Sequence, residues 1–288
     1  MEKRKVSVLV CCHKRDIMAE AEPYMPIQVG RALADTDLGI TADNTGENIS
    51  SKNPSFCELT GIYWAWKNLR EADVVGLCHY RRYFDFHGAC QPFKPYTIFP
   101  TSRFSAADLS IPDSIIEAVD RGTVVMPRRE NFPLTALAQF NEQHSCLDMN
   151  IVRDIIRQDF GDKYAKALWQ VLVTGNRLSL CNMFLMNRAN FDQYCTWLFH
   201  VLGRAEEYIH ADDYPPYQKR IFGFLAERLL NVWVSAERRP VKYYPVMFFS
   251  DSQDRVSVIP AWKYGLACVV NNTMNLMRRT EKKLKLMP

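Results

Sequence analysis

Val74-Val75-Gly76-Leu77-Cys78 runs apolar and then gives way, with no spacer, to His79-Tyr80-Arg81-Arg82-Tyr83-Phe84. A short continuous apolar run is what a strand buried on both faces requires. The abrupt change to ionisable and aromatic groups puts them at the strand's carboxyl end, where open α/β sheets bind ligands. Val6 to Cys12, followed by His13-Lys14-Arg15-Asp16, repeats the arrangement. Between the two runs, Asn53-Pro54 reads as an N-cap with proline at the first helical position. Leu59, Ile62, Tyr63, Trp66 and Leu69 then fall on one helical stripe. The expected unit is strand, helix, strand, and the fold class is α/β with a mostly parallel central sheet flanked by helices.

Outward from that unit, shorter strands are expected over Thr123 to Met126 and Ser179 to Met186, and helices over Asp113 to Asp120, Lys163 to Leu172, Ala189 to Arg204 and Tyr217 to Ser235. Gly30 to Asn53, rich in Asp, Asn, Thr, Gly and Ser, reads as a long loop. Phe86 to Asp113, with Pro92, Pro95, Pro100 and Pro112, reads as an irregular excursion. The expected organisation is a domain over 1–250 and a C-terminal extension over 251–288. In the extension, Leu276, Met277 and Leu284 alternate with Arg278, Arg279, Lys282, Lys283 and Lys285. That pattern suits a basic amphipathic tail near anionic lipid, and equally a solvated terminal helix.

At 288 residues and 48% hydrophobic content the chain can bury a substantial core. Its formal net charge of +4 allows an anionic ligand, whereas a nucleic-acid partner would leave a heavier basic signature. Nine cysteines, mostly in apolar stretches and with no CxxC pair, read as small core residues of a reducing compartment. Met1 to Lys5 leads straight into a strand-like run without a cleavage site, and charges or prolines interrupt every apolar run. The expected location is cytoplasmic, with peripheral contact at the cytoplasmic face of the inner membrane.

The candidate chemistry follows from residue types. Arg81 and Arg82 offer guanidinium forks for phosphate oxygens, and His79 and Tyr80 add donors or a stacking surface; the same groups would also serve as packing and ion pairs at a strand end. Lys52, Asn53 and Glu58 lie among the loop's hydrogen-bonding groups. Asp212 and Asp213 stand before a helix that carries Arg220, Glu227, Arg228 and Asn231, so either carboxylate fits a general base or a helix cap. His144 and Asp148, four apart, are expected on one helix face. A divalent metal, manganese or magnesium, would ask for an Asp-x-Asp pair at a strand end. Asp35-Thr36-Asp37 has that spelling but reads as a turn, so no metal ligand is assigned.

Asn48 to Asn68, which includes Asn53-Pro54-Ser55-Phe56-Cys57-Glu58, and the His79-Tyr80-Arg81-Arg82-Tyr83-Phe84 motif together resemble a family long labelled as of unknown function. It occurs in capsular and exopolysaccharide biosynthesis proteins and lipopolysaccharide glycosyltransferases. Cys181 to Met186 and Arg220 to Trp233 are similar to it as well, so the resemblance runs to about Phe249. It implies a GT-A-like fold and transfer of a sugar, galactofuranose or another hexose, from a UDP-sugar donor to a lipid-linked or polysaccharide acceptor. On this resemblance the family's motif positions here are His79, Tyr80, Arg81, Arg82, Asn53, Glu58, Asn182, Arg220, Glu227 and Arg228; of these His79, Tyr80, Arg81, Arg82, Asn53, Asn182, Arg220 and Arg228, together with Lys52 of the loop, are expected to bind the donor. Asp213, Asp212, Glu58 and Glu227 compete for the base. A non-catalytic nucleotide- or glycan-binding component of an assembly complex would use the same arginines without a base.

Overall fold

The computed structural model describes residues 4–251. The basic tail expected near Asn275 to Lys285 lies outside the described residues. Among the described residues, twelve strands and seven helices follow in chain order. They are β1 (Val6–Cys12), β2 (Tyr24–Gln28), β3 (Thr41–Ala42), α1 (Asn53–Phe56), α2 (Leu59–Asn68), β4 (Val74–His79), β5 (Arg82–Phe84), β6 (Tyr96–Phe99), α3 (Asp113–Asp120), β7 (Val124–Pro127) and β8 (Glu130–Asn131). The rest are α4 (Ala136–Gln143), α5 (Cys146–Leu168), β9 (Arg177–Leu178), β10 (Phe184–Asn187), α6 (Arg188–Glu206), α7 (Ile221–Ala236), β11 (Val241–Tyr244) and β12 (Val246–Phe249).

The main sheet runs β11-β7-β10-β4-β1-β2-β3. The pairs β4/β1, β1/β2, β2/β3 and β7/β11 are parallel, while β10 runs antiparallel to both its neighbours. Strand β12 joins β5 and β6 into a flap off the central path. The α/β, mostly parallel expectation is met.

Alternation along β1 explains why its sequence is apolar without a break. Leu9 and Cys11 enter a core shared with α2, α5, α6 and α7, whereas Val8, Val10 and Cys12 enter a second core with Ile115 and Val119 of α3 and Tyr83, Val246 and Phe249 of the flap. Both faces are covered, so neither can be polar. Gly76 sits where β4, β1 and β10 converge; a Cβ there would lie 2.4 Å from Leu185 Cδ2 and 3.1 Å from Val8 Cγ2.

Several local expectations need correction. Asn53 is not a cap: Lys52 holds the N-cap position, Pro54 follows one place further in, and the helix stops after one turn because Cys57 adopts φ 52 and ψ −132. The apolar stripe therefore starts a new helix at Leu59. The loop after Gly30 carries β3 and two 3-10 turns, and β2 before it was not anticipated because the proline in Tyr-Met-Pro-Ile-Gln hides a strand. Ser179 to Met186 is a strand only from Phe184; Cys181 and Asn182 turn the chain with φ 75 and φ 51. The helix expected at Lys163 begins at Cys146, with a break at Gly161, and the excursion after Phe86 contains β6. His144 ends α4 while Asp148 opens α5. They do not share a helix: His144 contacts Gln218 at 2.9 Å and Asp148 accepts from Tyr214 at 2.7 Å.

Candidate active site

The carboxyl ends of β1 and β4 point to the same end of the sheet, and three separate pieces of chain close over them. The first is the break between α1 and α2. Asn53 donates from its amide to the Cys57 carbonyl at 2.8 Å, and its side chain fills the space a Cβ on Gly30 would need, 2.6 Å from Asn53 Oδ1. Gly30 itself takes φ 71, and its N–H bonds Asp43, which is fully buried. Asp43 also accepts from Arg31 N at 3.0 Å and from the Ser50 hydroxyl, so this part of the loop is built around one buried carboxylate. Fixed in this way, the chain presents Cys57 and Glu58 toward the strand ends.

The second piece is the turn before β10. Asn182, only 2% exposed, donates to Glu58 Oε1 at 2.7 Å and to the Gly223 carbonyl at 3.2 Å, leaving its own Oδ1 buried with no hydrogen-bond partner. The Cys181 carbonyl meets His79 Nε2 at 2.7 Å, and the Cys181 N–H donates to Glu227 Oε1 at 3.1 Å. The third piece is the start and first two turns of α7. Glu227 Oε2 pairs with Arg228 at 2.8 Å, Arg228 reaches Gln139 of α4 at 2.9 Å, and Arg220 Nε donates to Cys57 Sγ at 3.3 Å.

These contacts gather Glu58, His79, Asn182, Arg220, Glu227 and Arg228 in one constellation, with Arg82 close enough for its charge to act on His79 and Glu227. Three non-glycine residues with positive φ, Cys57, Cys181 and Asn182, lie at its centre. Such conformations cost about 1–3 kcal/mol each and persist where the surroundings force them, frequently at functional sites.

The electrostatics sort the members. Burial lowers the His79 imidazole below its ordinary value, against the opposing pull of Glu58. Burial raises the Glu227 carboxyl, with Arg228 opposing the rise and Glu58 adding to it. Both Glu227 oxygens are engaged, whereas Glu58 uses Oε1 for Asn182 and no hydrogen bond within the described residues engages its Oε2. Glu58 is half-buried. Burial pushes the Cys57 thiol up to about 11, so at neutral pH the group facing Arg220 is a neutral thiol. Arg220 thus keeps its positive charge uncompensated by that neighbour.

Other expected residues fall elsewhere. Arg81 forms a two-pronged pair with Asp16 at 3.1 and 2.7 Å and lies over the Tyr80 ring, which in turn meets His13 edge-on at 5.5 Å. These four stand beside the constellation, on the β1 side. Lys52 is tied to Glu206 of α6 at 2.6 Å. Asp212 is 89% exposed by side chain and paired with Lys219 at 2.6 Å, and Asp213 is exposed in the same 3-10 turn. Asp37 of the Asp-x-Asp spelling accepts from the Gly39 N–H at 2.8 Å, which is turn chemistry.

Sequence reasoning gave no individual role to His13, Asp16, Cys57 or Glu130. His13 and Asp16 were readable as the polar end of β1. Glu130 had one signal, a carboxylate three residues beyond the apolar end of β7. Among the described residues no group of three or more His, Cys, Asp or Glu side chains has the arrangement of a metal site.

A mostly parallel sheet with a constellation of carboxylates, cations and amides over its strand ends defines an α/β protein with its site where such sheets bind ligands. The chain belongs to the family described as Domain of unknown function (DUF4422), which matches residues 7–238. Among solved structures it is similar to the apo structure of the bifunctional glycosyltransferase WbbM, with 26% identity and a TM-score of 0.75 over 88% of this chain and 48% of that one. The chain therefore spans about half the length of that protein. No curated protein matches it. No helix among the described residues is long and apolar enough to cross a membrane.

Proposed function

We propose that the chain is a glycosyltransferase that moves a hexose from a UDP-sugar onto a growing surface glycan, a capsular, exopolysaccharide or lipopolysaccharide chain. The family resemblance points to galactofuranose or another hexose as the sugar. The observation that carries the reading is Glu58, a half-buried carboxylate held through one oxygen by Asn182, standing among His79, Arg82 and Arg220 at the carboxyl ends of β1 and β4. In this reading Oε2 of Glu58 takes the proton of the acceptor hydroxyl as that oxygen bonds to the anomeric carbon. The bond from the anomeric carbon to the diphosphate breaks, and its electron pair leaves with the nucleotide. Arg82 and Arg220 stabilise the charge that accumulates there. Arg81, released from Asp16, is a further phosphate ligand on the β1 side. Glu227 and Arg228 act behind the site by fixing the Cys181 turn, and Asn182 holds Glu58 in place.

The chemistry asks for cationic compensation of a diphosphate, and Arg82 and Arg220 offer it at the strand ends. The test is release of UDP from UDP-hexoses by the full chain and by Arg82→Ala and Arg220→Ala. Each substitution is expected to lower turnover by about 10²-fold or more, the scale seen when one preorganised electrostatic contact is removed. Wild-type turnover in the double variant would refute the assignment.

A further inference from the structure

Next to the constellation, on the side away from β1, a pocket of about 250 Å³ opens between the flap of β5, β6 and β12 and the segment from β7 to β8. Its walls include Tyr96, Val246 and Phe248, and its polar groups include Arg82, Arg128, Glu130 and Ser250. Leu180 and Cys181 form part of the same lining, so the pocket shares the turn that holds Glu227 and His79.

Volume limits the occupant. Sites for drug-sized ligands run from about 300 to 1,000 Å³, so this pocket suits one sugar ring and not a nucleotide. Aromatic faces beside charged hydrogen-bonding groups match a pyranose or furanose, whose C–H faces are apolar and whose edge is polar. Charge limits it further. Arg82 lies 4.9 Å over the Phe248 ring and makes no ion pair among the described residues, and Arg128 spends one nitrogen on the Lys94 carbonyl at 3.0 Å. Against these two cations stands one carboxyl, Glu130, which burial raises above the ordinary range, with the nearby Glu227 charge adding to the rise. Two guanidiniums against one carboxyl leave the pocket with a net positive lining.

We propose that this pocket is the acceptor subsite and that it takes a single anionic sugar ring, its carboxylate or phosphate facing Arg128, its apolar face on Tyr96 and Phe248, and Arg82 at the border left to the diphosphate. As an acceptor subsite it rests on the transferase reading above; as a binding site for an anionic sugar it does not. The proximity of Arg82 to both regions sets the reacting hydroxyl toward Glu58.

The test is calorimetric titration of the full chain with glucuronic acid, glucose 1-phosphate and glucose, each with and without saturating UDP. Both anionic sugars are expected to bind at least tenfold more tightly than glucose, and UDP is expected not to displace them. The tighter of the two tells which anion the pocket is shaped for. In Arg128→Gln the advantage over glucose should disappear, while Arg128→Lys keeps most of it and UDP binds both variants as it binds wild type. Equal affinity for glucose and the anionic sugars, displacement by UDP, no binding of any of the three, or full retention in Arg128→Gln each overturns the proposal. Anionic sugars that bind through Arg128 in a chain that fails to bind UDP would keep the pocket and sink the transferase reading instead.

Discussion

At the scale of single residues, Glu58 and Glu227 look alike in sequence and differ in what surrounds them. Glu227 is locked by a backbone N–H and by Arg228, and Glu58 keeps one oxygen outside the hydrogen bonds of the described residues. Glu58→Gln preserves the amide contact surface while removing the base, so turnover should fall by about 10²–10⁴-fold with UDP affinity retained. Glu227→Gln leaves Arg228, 2% exposed, without its charge partner, and loss of one member of a buried pair costs about 3–5 kcal/mol. Thermal unfolding should separate the two: a large drop in midpoint for Glu227→Gln and a small one for Glu58→Gln. A stable Glu227→Gln with abolished turnover would reverse the assignment. His79 supplies a pH signature. Burial lowers its folded value below the unfolded 6.5, so between those values the unfolded chain binds more protons than the folded one, and stability rises with pH through that window. Conversely it is lost as the pH falls through about 6.5 toward the lowered value. Replacing His79 by Gln should flatten the dependence of the unfolding midpoint on the acid side of 6.5; an unchanged slope would show that the imidazole is not buried neutral. Residue types at strand ends made His79 and Arg82 legible from sequence. The contact of Asn182 with Glu58, 124 positions apart, was not, because it depends on two left-handed turns that non-glycine residues adopt only under tertiary constraint.

At the scale of elements, hydrophobic pattern read well wherever both faces of a segment had to be covered. β1 and β4 were plain for that reason, and α3, α6 and α7 followed from their apolar stripes. Elements placed by long-range contact were not: β2 holds a proline, β3 and β8 have two residues each, and the break at Cys57 interrupts what the stripe alone would join. The β4/β10 contact gives a prediction of its own. Gly76→Ala drives a methyl against Leu185 and Val8, and overpacking of this kind costs about 1–3 kcal/mol. In a domain of this size each 1 kcal/mol lowers the midpoint by about 2–4 °C. A midpoint equal to that of the wild type would mean that the two strands can spread without cost. Because β10 follows directly on the Cys181 turn, the same variant should also lower turnover.

At the scale of the whole molecule, the sheet divides the work. Strands β1, β2 and β4, with the loop built on Asp43, form one half. The antiparallel β10, with β7, β11 and the flap, forms the other. The constellation sits over the division, where strand direction changes between β4 and β10. Crevices at such switch points are where α/β sheets bind ligands. On this account the nucleotide lies over the division and is held by arginine charge, and calorimetric binding of UDP, with GDP and CMP as controls, tests that directly. The account predicts UDP-selective binding that is the same with manganese and with a chelator, and weaker in Arg82→Ala. Binding that appears only with manganese, or no nucleotide binding at all, would contradict it.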